Sequence, residues 1–179
     1  MLQFDQLQHP ESFDEITAGF SVMLNAFSPQ KNFVPIEAYF GKNKGVAGTI
    51  KQLSEEGKLP HKTDFKGIYV ILQGTIPIYT GISRGVITRI NQHIKGKSHY
   101  SASFAYNIGK AVALKGGLLP ENVRRKNFDF RKHVAPVQEF LLKQNVAFME
   151  IEDDITLYLF EVYCAMKLKT LMMNSFKTH

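Results

Sequence analysis

The chain has 179 residues, of which 44% are hydrophobic and 21% charged, so it can bury a core and is not a disordered chain. Its net charge of +6 and pI of about 9.3 favour a polyanionic partner, although many basic proteins have none. No apolar run reaches the ~18 residues that span a bilayer, and neither a signal-peptide pattern nor a CxxC pair is present. The only cysteine, Cys164, excludes an intrachain disulfide, and we expect a cytoplasmic protein.

Two helical patterns occupy the first third of the chain. Residues 11–27 place apolar side chains near helical spacing after a possible cap at Ser12, and residues 46–57 form a second helix that ends at Gly57. Two short helices before a turn could be a helix-turn-helix, but so generic a pattern favours a packing extension. We therefore predict an N-terminal helical extension over residues 1–62.

The segments GIYVIL and IPIYTGI predict two β-strands around QGT. With QGT as a three-residue loop, Tyr69 falls opposite Tyr79 and Gly67 opposite Gly81. The two phenols would then share one face, beside a glycine pair that leaves room for a ligand to approach the backbone. Such a tyrosine pair is more often structural, and a one-residue change of register would separate the two rings.

The next segment, GVITRINQHIKG, predicts a helix with one apolar stripe and a stop at Gly96. Arg89 and His93 are four residues apart, so they project from one face, at the border of that stripe. An exposed pair of this kind usually has no special role. Because it follows the hairpin so closely, we expect both side chains at the rim of the sheet, near the tyrosines.

The rest of the chain predicts helices at 101–114 and 131–143, a strand at 145–151 and a long helix at 153–171. Three strands with helices packed on them give an α/β domain. The last helix is apolar nearly all round, which indicates extensive burial, and Glu161 lies in its middle. A buried carboxylate must be paired, protonated or bound to a cation, and here a core ion pair and a metal site are equally good interpretations.

These side chains match the needs of phosphodiester hydrolysis. A tyrosine with a lowered pKa can deprotonate water, arginine fits phosphate, and a divalent metal stabilises the leaving alkoxide. Magnesium is commonly held by only one or two carboxylates.

Basic residues cluster in the middle of the chain and suggest a surface for DNA. The alternative is a set of solvated faces without a partner. The clustered residues are Lys95, Lys97, Arg124, Arg125, Lys126, Arg131 and Lys132. Aromatic residues lie near them in the sequence, at Tyr100, Phe104, Tyr106, Phe128 and Phe130.

The ordered set of residues resembles the GIY-YIG endonuclease family. The resemblance rests on GIY at 67–69 and YTG at 79–81, with Thr80 where isoleucine is usual. We expect Thr80 to point away from the site. The resemblance implies a small three-stranded antiparallel sheet flanked by helices, an α+β nuclease domain over residues 63–179 with a helical insertion at about 97–145.

The resemblance also implies a metal-dependent DNA endonuclease that leaves 5′-phosphate ends, with Mg²⁺ or Mn²⁺ on Glu161. Tyr69 would activate or position the attacking water, and Tyr79 would support it. Arg89 would stabilise the developing charge, and His93 would assist proton transfer.

Asn174, after the last helix, would help to hold this network. A small stand-alone member with a basic insertion resembles a restriction-type enzyme. One such site cuts one strand at a time, so a double-strand cut needs a homodimer or two sequential events. The alternative is a non-catalytic DNA-binding module that retains the fold.

Overall fold

A computed structural model describes residues 12–41, 43–120, 122–124 and 127–171. Within these ranges no helix is long and apolar enough to cross a membrane. The described elements in chain order are α1 (Phe13–Ala18), α2 (Phe20–Phe27), β1 (Val34–Pro35), α3 (Ile36–Phe40), α4 (Val46–Glu55), β2 (Gly67–Gln73), β3 (Ile76–Ser83), α5 (Val86–Lys95), α6 (Ser103–Lys115), α7 (Phe130–Leu142), β4 (Asn145–Glu150) and α8 (Asp154–Lys167).

The sheet has four strands in the order β1-β4-β2-β3, and all neighbours are antiparallel. The predicted α+β class is confirmed, but the predicted count of three strands is wrong. The additional strand is only Val34–Pro35, too short to show a period of two in the sequence. It joins the sheet through β4 and is followed by a hydrogen bond from the Ile36 amide to the Gln144 carbonyl, 2.9 Å long.

The register of the β2–β3 hairpin differs from the predicted one. Tyr69 lies opposite Gly81, not opposite Tyr79, and Gly67 lies opposite Ser83. Two separate causes produce the difference. The turn has two residues and begins at Gly74, whose φ of 62° suits glycine, and an irregularity after Ile71 places one extra residue on β3.

Each of these changes alone would move the two tyrosines to opposite faces of the sheet. Together they restore the shared face, because the summed shift is two residues. Tyr69 and Tyr79 are therefore diagonal neighbours, with ring centroids 5.9 Å apart. The predicted proximity of the two rings is confirmed, although the predicted pairing is wrong.

Alternate residues of β2 enter two different cores. Ile68, Val70 and Leu72 pack with α1, α2 and α8, whereas Tyr69 and Ile71 pack with α3 to α7. The first helical pattern breaks at Gly19 into α1 and α2, and α4 lies in the other core. The two predicted N-terminal helices thus pack on opposite faces of the sheet. This arrangement agrees with a packing extension. The boundary predicted near residue 62 remains a prediction.

The last helix is less buried than its sequence suggested. One face of α8 packs on the sheet through side chains such as Phe160. A second apolar stripe is exposed and consists of Ile155, Tyr158, Val162 and Met166. The helix also ends at Lys167, four residues before the predicted end. Apolar content alone overstated burial, because only one face of a helix can contact a sheet.

We predict that Gly67→Ala disrupts the sheet. A Cβ at this position would lie 2.1 Å from the Met149 carbonyl oxygen, so β2 and β4 would have to separate. The loss in the free energy of unfolding should be ~3 kcal/mol or more in urea melts. The control is Gly48→Ala in α4, where a Cβ meets nothing within 4 Å and should stabilise by about 0.5–1 kcal/mol. Equal stabilities of the two variants would contradict the close approach.

Candidate functional site

A buried hydrogen bond joins two of the predicted residues. The hydroxyl of Tyr69 on β2 lies 2.7 Å from Nε2 of His93 on α5, and both side chains are essentially inaccessible to solvent. His93 thus lies near the tyrosines, as expected, and its side chain is completely buried. The helix is held in place by Asp64, whose carboxylate accepts the backbone N–H groups of Ile87 and Thr88 at 2.8 and 2.9 Å. This cap binds the first turn of α5 and fixes the position of His93 two turns later.

The two motif glycines make room for the protein itself. A Cβ on Gly81 would lie 2.7 Å from the Tyr69 hydroxyl oxygen, because the tyrosine ring lies across this residue. At Gly67 the space is filled by the Met149 carbonyl. The glycine pair thus permits internal packing, and the predicted opening for a ligand is not present there.

Tyr79 is the more accessible phenol of the pair. It is half-buried and stacks on Phe104 of α6, with ring centroids 4.0 Å apart and an interplanar angle of 20°. Its centroid is 5.8 Å from that of His93. Burial raises the pKa of Tyr79 above its ordinary value, and a hydrogen bond from Tyr69 and the charge of Arg89 offset only part of this rise. The hydrogen-bonded chain therefore leads outward from His93 through Tyr69 to Tyr79.

Burial keeps the inner two groups neutral. It lowers the pKa of His93 to about 3, with a smaller contribution from the nearby Arg89 charge, and it raises the pKa of Tyr69 well above its ordinary value. Nδ1 of His93 has no hydrogen-bond partner among the described residues. A buried N–H without an acceptor is rarer than a buried acceptor without a donor, so we place the proton on Nε2. In this tautomer His93 donates to Tyr69, which donates to Tyr79.

Arg89 lies beside this cluster and is held by the segment before α6. Its guanidinium donates to the Ser101 carbonyl at 3.1 Å and to the Ser103 hydroxyl at 2.6 Å. It also donates to the side chain of Gln92 at 3.1 Å. Its charge still acts on the pKa of His93, so the predicted proximity of these two side chains is confirmed.

Glu161 reaches the cluster from the other side of the sheet. Its helix α8 packs against β3, which is an edge strand, and the carboxylate raises the pKa of Tyr79 through its charge. Glu161 is half-buried, and burial raises its own pKa to about 7. Among the described residues, no cation lies within ion-pair distance of it. A core ion pair is thus absent from this part of the chain.

A divalent cation fits this position chemically. The described residues contain no group of three or more His, Cys, Asp or Glu side chains that could hold a metal. Magnesium does not need such a group, since one carboxylate, waters and substrate phosphate can complete its shell. Glu161 would supply that carboxylate.

The other predicted residues differ in their surroundings. Lys95 is half-buried and donates to the Lys44 carbonyl at 2.5 Å, and burial lowers its pKa. Four further basic side chains are exposed, namely Lys97, Arg124, Arg131 and Lys132. Three predicted residues, Arg125, Lys126 and Asn174, lie outside the described residues.

Sequence reasoning missed the supports of the site. Asp64, just before β2, binds the first turn of α5, and Phe104 on α6 stacks on Tyr79. No local pattern marks either residue as part of the site. Thr80 points to the opposite core, as expected, where its hydroxyl lies 2.8 Å from that of Thr170.

Comparisons of the chain with protein families, with curated proteins and with solved structures find no match. The resemblance to GIY-YIG enzymes therefore stays a hypothesis that rests on the residues and their geometry.

We predict that Tyr69→Phe lowers stability. The lost hydroxyl would leave the buried Nε2–H of His93 without an acceptor. The expected loss is about 1–3 kcal/mol in urea melts. The matched control is Tyr158→Phe, whose ring is 60% exposed and whose change should stay within about 0.5 kcal/mol. Equal effects would mean that the buried hydrogen bond contributes nothing.

We predict a pH dependence of stability that belongs to His93. The pKa is depressed on folding from 6.5 to about 3, so the unfolded chain binds the proton more strongly. The contribution is therefore complete above pH 6.5 and is lost as pH falls towards about 3. The difference in unfolding free energy between wild type and His93→Gln should rise with pH in this window, by at most about 1.4 kcal/mol per pH unit. A flat difference would show that His93 titrates normally.

Proposed function

We propose that this protein is a metal-dependent DNA endonuclease of the GIY-YIG type. One observation carries the proposal. A buried His93–Tyr69 pair supports the more accessible Tyr79, and Arg89 and a desolvated Glu161 act on the same hydroxyl through their charges. The sequence supplies each of these residues at widely separated positions. Their convergence at one end of the cluster is what a phosphodiester-hydrolysing site requires.

Tyr79 is the hydroxyl best placed to meet the attacking water, because Tyr69 is only 1% exposed. We therefore exchange the roles that the resemblance implies. Tyr79 orients the water, and Tyr69 positions Tyr79. Burial raises the pKa of Tyr79, and the Arg89 charge offsets only part of this rise, so Tyr79 stays a phenol that holds the water by hydrogen bonds. His93 stays neutral and holds Tyr69 in its orientation.

Mg²⁺ or Mn²⁺ bound at Glu161 would polarise the phosphate and stabilise the leaving alkoxide. Glu161 itself has to be ionised to bind a cation, and its pKa of about 7 leaves it partly protonated at neutral pH. Cation affinity should therefore increase with pH through this range. A cation would also relieve the cost of a half-buried charge.

DNA as the substrate is supported by the net charge and by the basic surface residues. From Phe65 to Pro120 the chain has seven Lys and Arg residues and no Asp or Glu. This segment includes both tyrosines, Arg89 and His93, so the field around the cluster favours a polyanion. A restriction-type role and a homodimer for double-strand cleavage belong to the same proposal.

The alternative is a DNA-binding module without catalysis. It is favoured by the anchoring of Arg89, whose guanidinium already donates to Gln92, Ser101 and Ser103. Catalysis by Arg89 requires that its guanidinium also reach a phosphate, with some or all of these hydrogen bonds broken. Plasmid cleavage assays with and without Mg²⁺ distinguish the two functions, since a module would bind plasmid and leave it supercoiled.

We predict that Glu161→Gln abolishes cleavage and leaves DNA binding intact or tighter. The folded-state pKa of Glu161 is raised, so its contribution to stability is lost as pH rises through about 7. Above that pH the variant should be as stable as wild type or more stable, by on the order of 1 kcal/mol after allowance for solvent screening.

The matched control is Glu55→Gln on the exposed side of α4, which should cut normally. Thermal melts run beside the plasmid assay give the stability. A destabilised Glu161→Gln protein whose folded fraction still cuts would remove the metal role from Glu161.

A further inference from the structure

We propose that Tyr100 is a stacking platform for a nucleobase of the DNA chain whose phosphate lies at the site. The inference rests on the proposed function and adds the residue that holds a base. Tyr100 lies in the loop between α5 and α6 and is 70% exposed. A large aromatic ring in this position can offer a face to an unpaired or splayed base.

Arg89 fixes this loop to the candidate site. Its guanidinium donates to the Ser101 carbonyl at 3.1 Å and makes a longer contact of 3.5 Å with the Tyr100 carbonyl. The residue proposed to stabilise phosphate charge is thus in contact with the backbone of Tyr100. Base and phosphate of neighbouring nucleotides are close together, so one strand can meet both residues.

A series of aromatic rings supports Tyr100 from behind. Its ring centroid lies 3.9 Å from that of His99, which lies 5.6 Å from that of Tyr106. Tyr106 packs in turn on Phe128 at 4.8 Å, and both of these rings are buried. A ring held in this way loses little conformational entropy when a base stacks on it.

The charge around Tyr100 suits a nucleic acid. Lys97 is exposed three residues before Tyr100, and no carboxylate occurs in the chain between Asp64 and Glu121. A cationic segment with an exposed aromatic side chain is the combination that single-stranded nucleic acids bind. Among the aromatic residues that lie near basic residues in the sequence, Tyr100 is therefore the one that we expect to bind a base.

Tyr100→Trp provides a direct test, because the chain contains no tryptophan and the new indole is the only one. The variant is titrated with a single-stranded oligothymidylate in the presence of a chelator, so that no cleavage occurs. Stacking should quench the indole fluorescence. The control is Phe13→Trp, an equally exposed aromatic position on α1, which packs against the other face of the sheet and should show no quenching.

Tyr100→Leu supplies the affinity. It should weaken oligothymidylate binding about tenfold. The slope of log affinity against log salt should not change, because a base contact releases no counterions. A changed slope with unchanged fluorescence in Tyr100→Trp would make this residue a neighbour of a phosphate contact and overturn the stacking role.

The outcomes separate this inference from the proposed function. If wild type cuts plasmid but Tyr100→Trp is not quenched, the platform is refuted and the nuclease stands. If quenching and the affinity loss occur without any cleavage by wild type, the nuclease is refuted and the platform stands. A failure of Tyr100→Leu to fold would leave the conservative Tyr100→Trp measurement to decide.

Discussion

The geometry of the candidate site depends on the hydrogen bond between Tyr69 and His93. It is 2.7 Å long, fully buried, and joins the middle of the central strand β2 to the last turn of α5. Neither polar group could be buried at this depth alone without a cost of about 1–3 kcal/mol. The bond therefore constrains where α5 lies on the sheet, and with it where Arg89 can reach. It also fixes the orientation of the phenol on which Tyr79 rests.

The edge position of β3 has an equally large consequence. The sheet separates two cores, and α8 lies on the side opposite to Tyr69. Helix α8 packs against β3, which is an edge strand of the described sheet and carries Tyr79. Glu161 acts on Tyr79 through its charge. Two layers of the fold thus contribute to one cluster of polar groups.

Desolvation sets the charge states within this cluster. It holds His93 and Tyr69 neutral and brings the pKa of Glu161 to about 7. Arg89 is the permanent positive charge beside them, and its hydrogen bonds to Ser101 in the loop before α6 and to Ser103 at the start of α6 keep it there. At the accessible end of the chain, burial and the Glu161 charge raise the pKa of Tyr79, and the Arg89 charge offsets part of that rise.

The sequence by itself determined most of the helices and strands of this protein. The helices predicted at 46–57, 101–114 and 131–143 and the strand at 145–151 are confirmed to within two residues at each end. Local periodicity specifies such elements, because 3.6 and 2 residues per repeat are properties of adjacent residues. The same local spacing placed Tyr69 and Tyr79 on neighbouring strands and Arg89 and His93 on one helix face.

Only the tertiary structure decided how these elements meet. The register of the hairpin depended on a two-residue turn and an irregularity in β3, and β1 was too short to leave a pattern. The burial of His93 and the partial exposure of α8 followed from contacts between residues far apart in the chain. Tertiary packing also decided which tyrosine faces solvent. Burial depends on the layers that pack on a side chain, and the local sequence does not specify those layers.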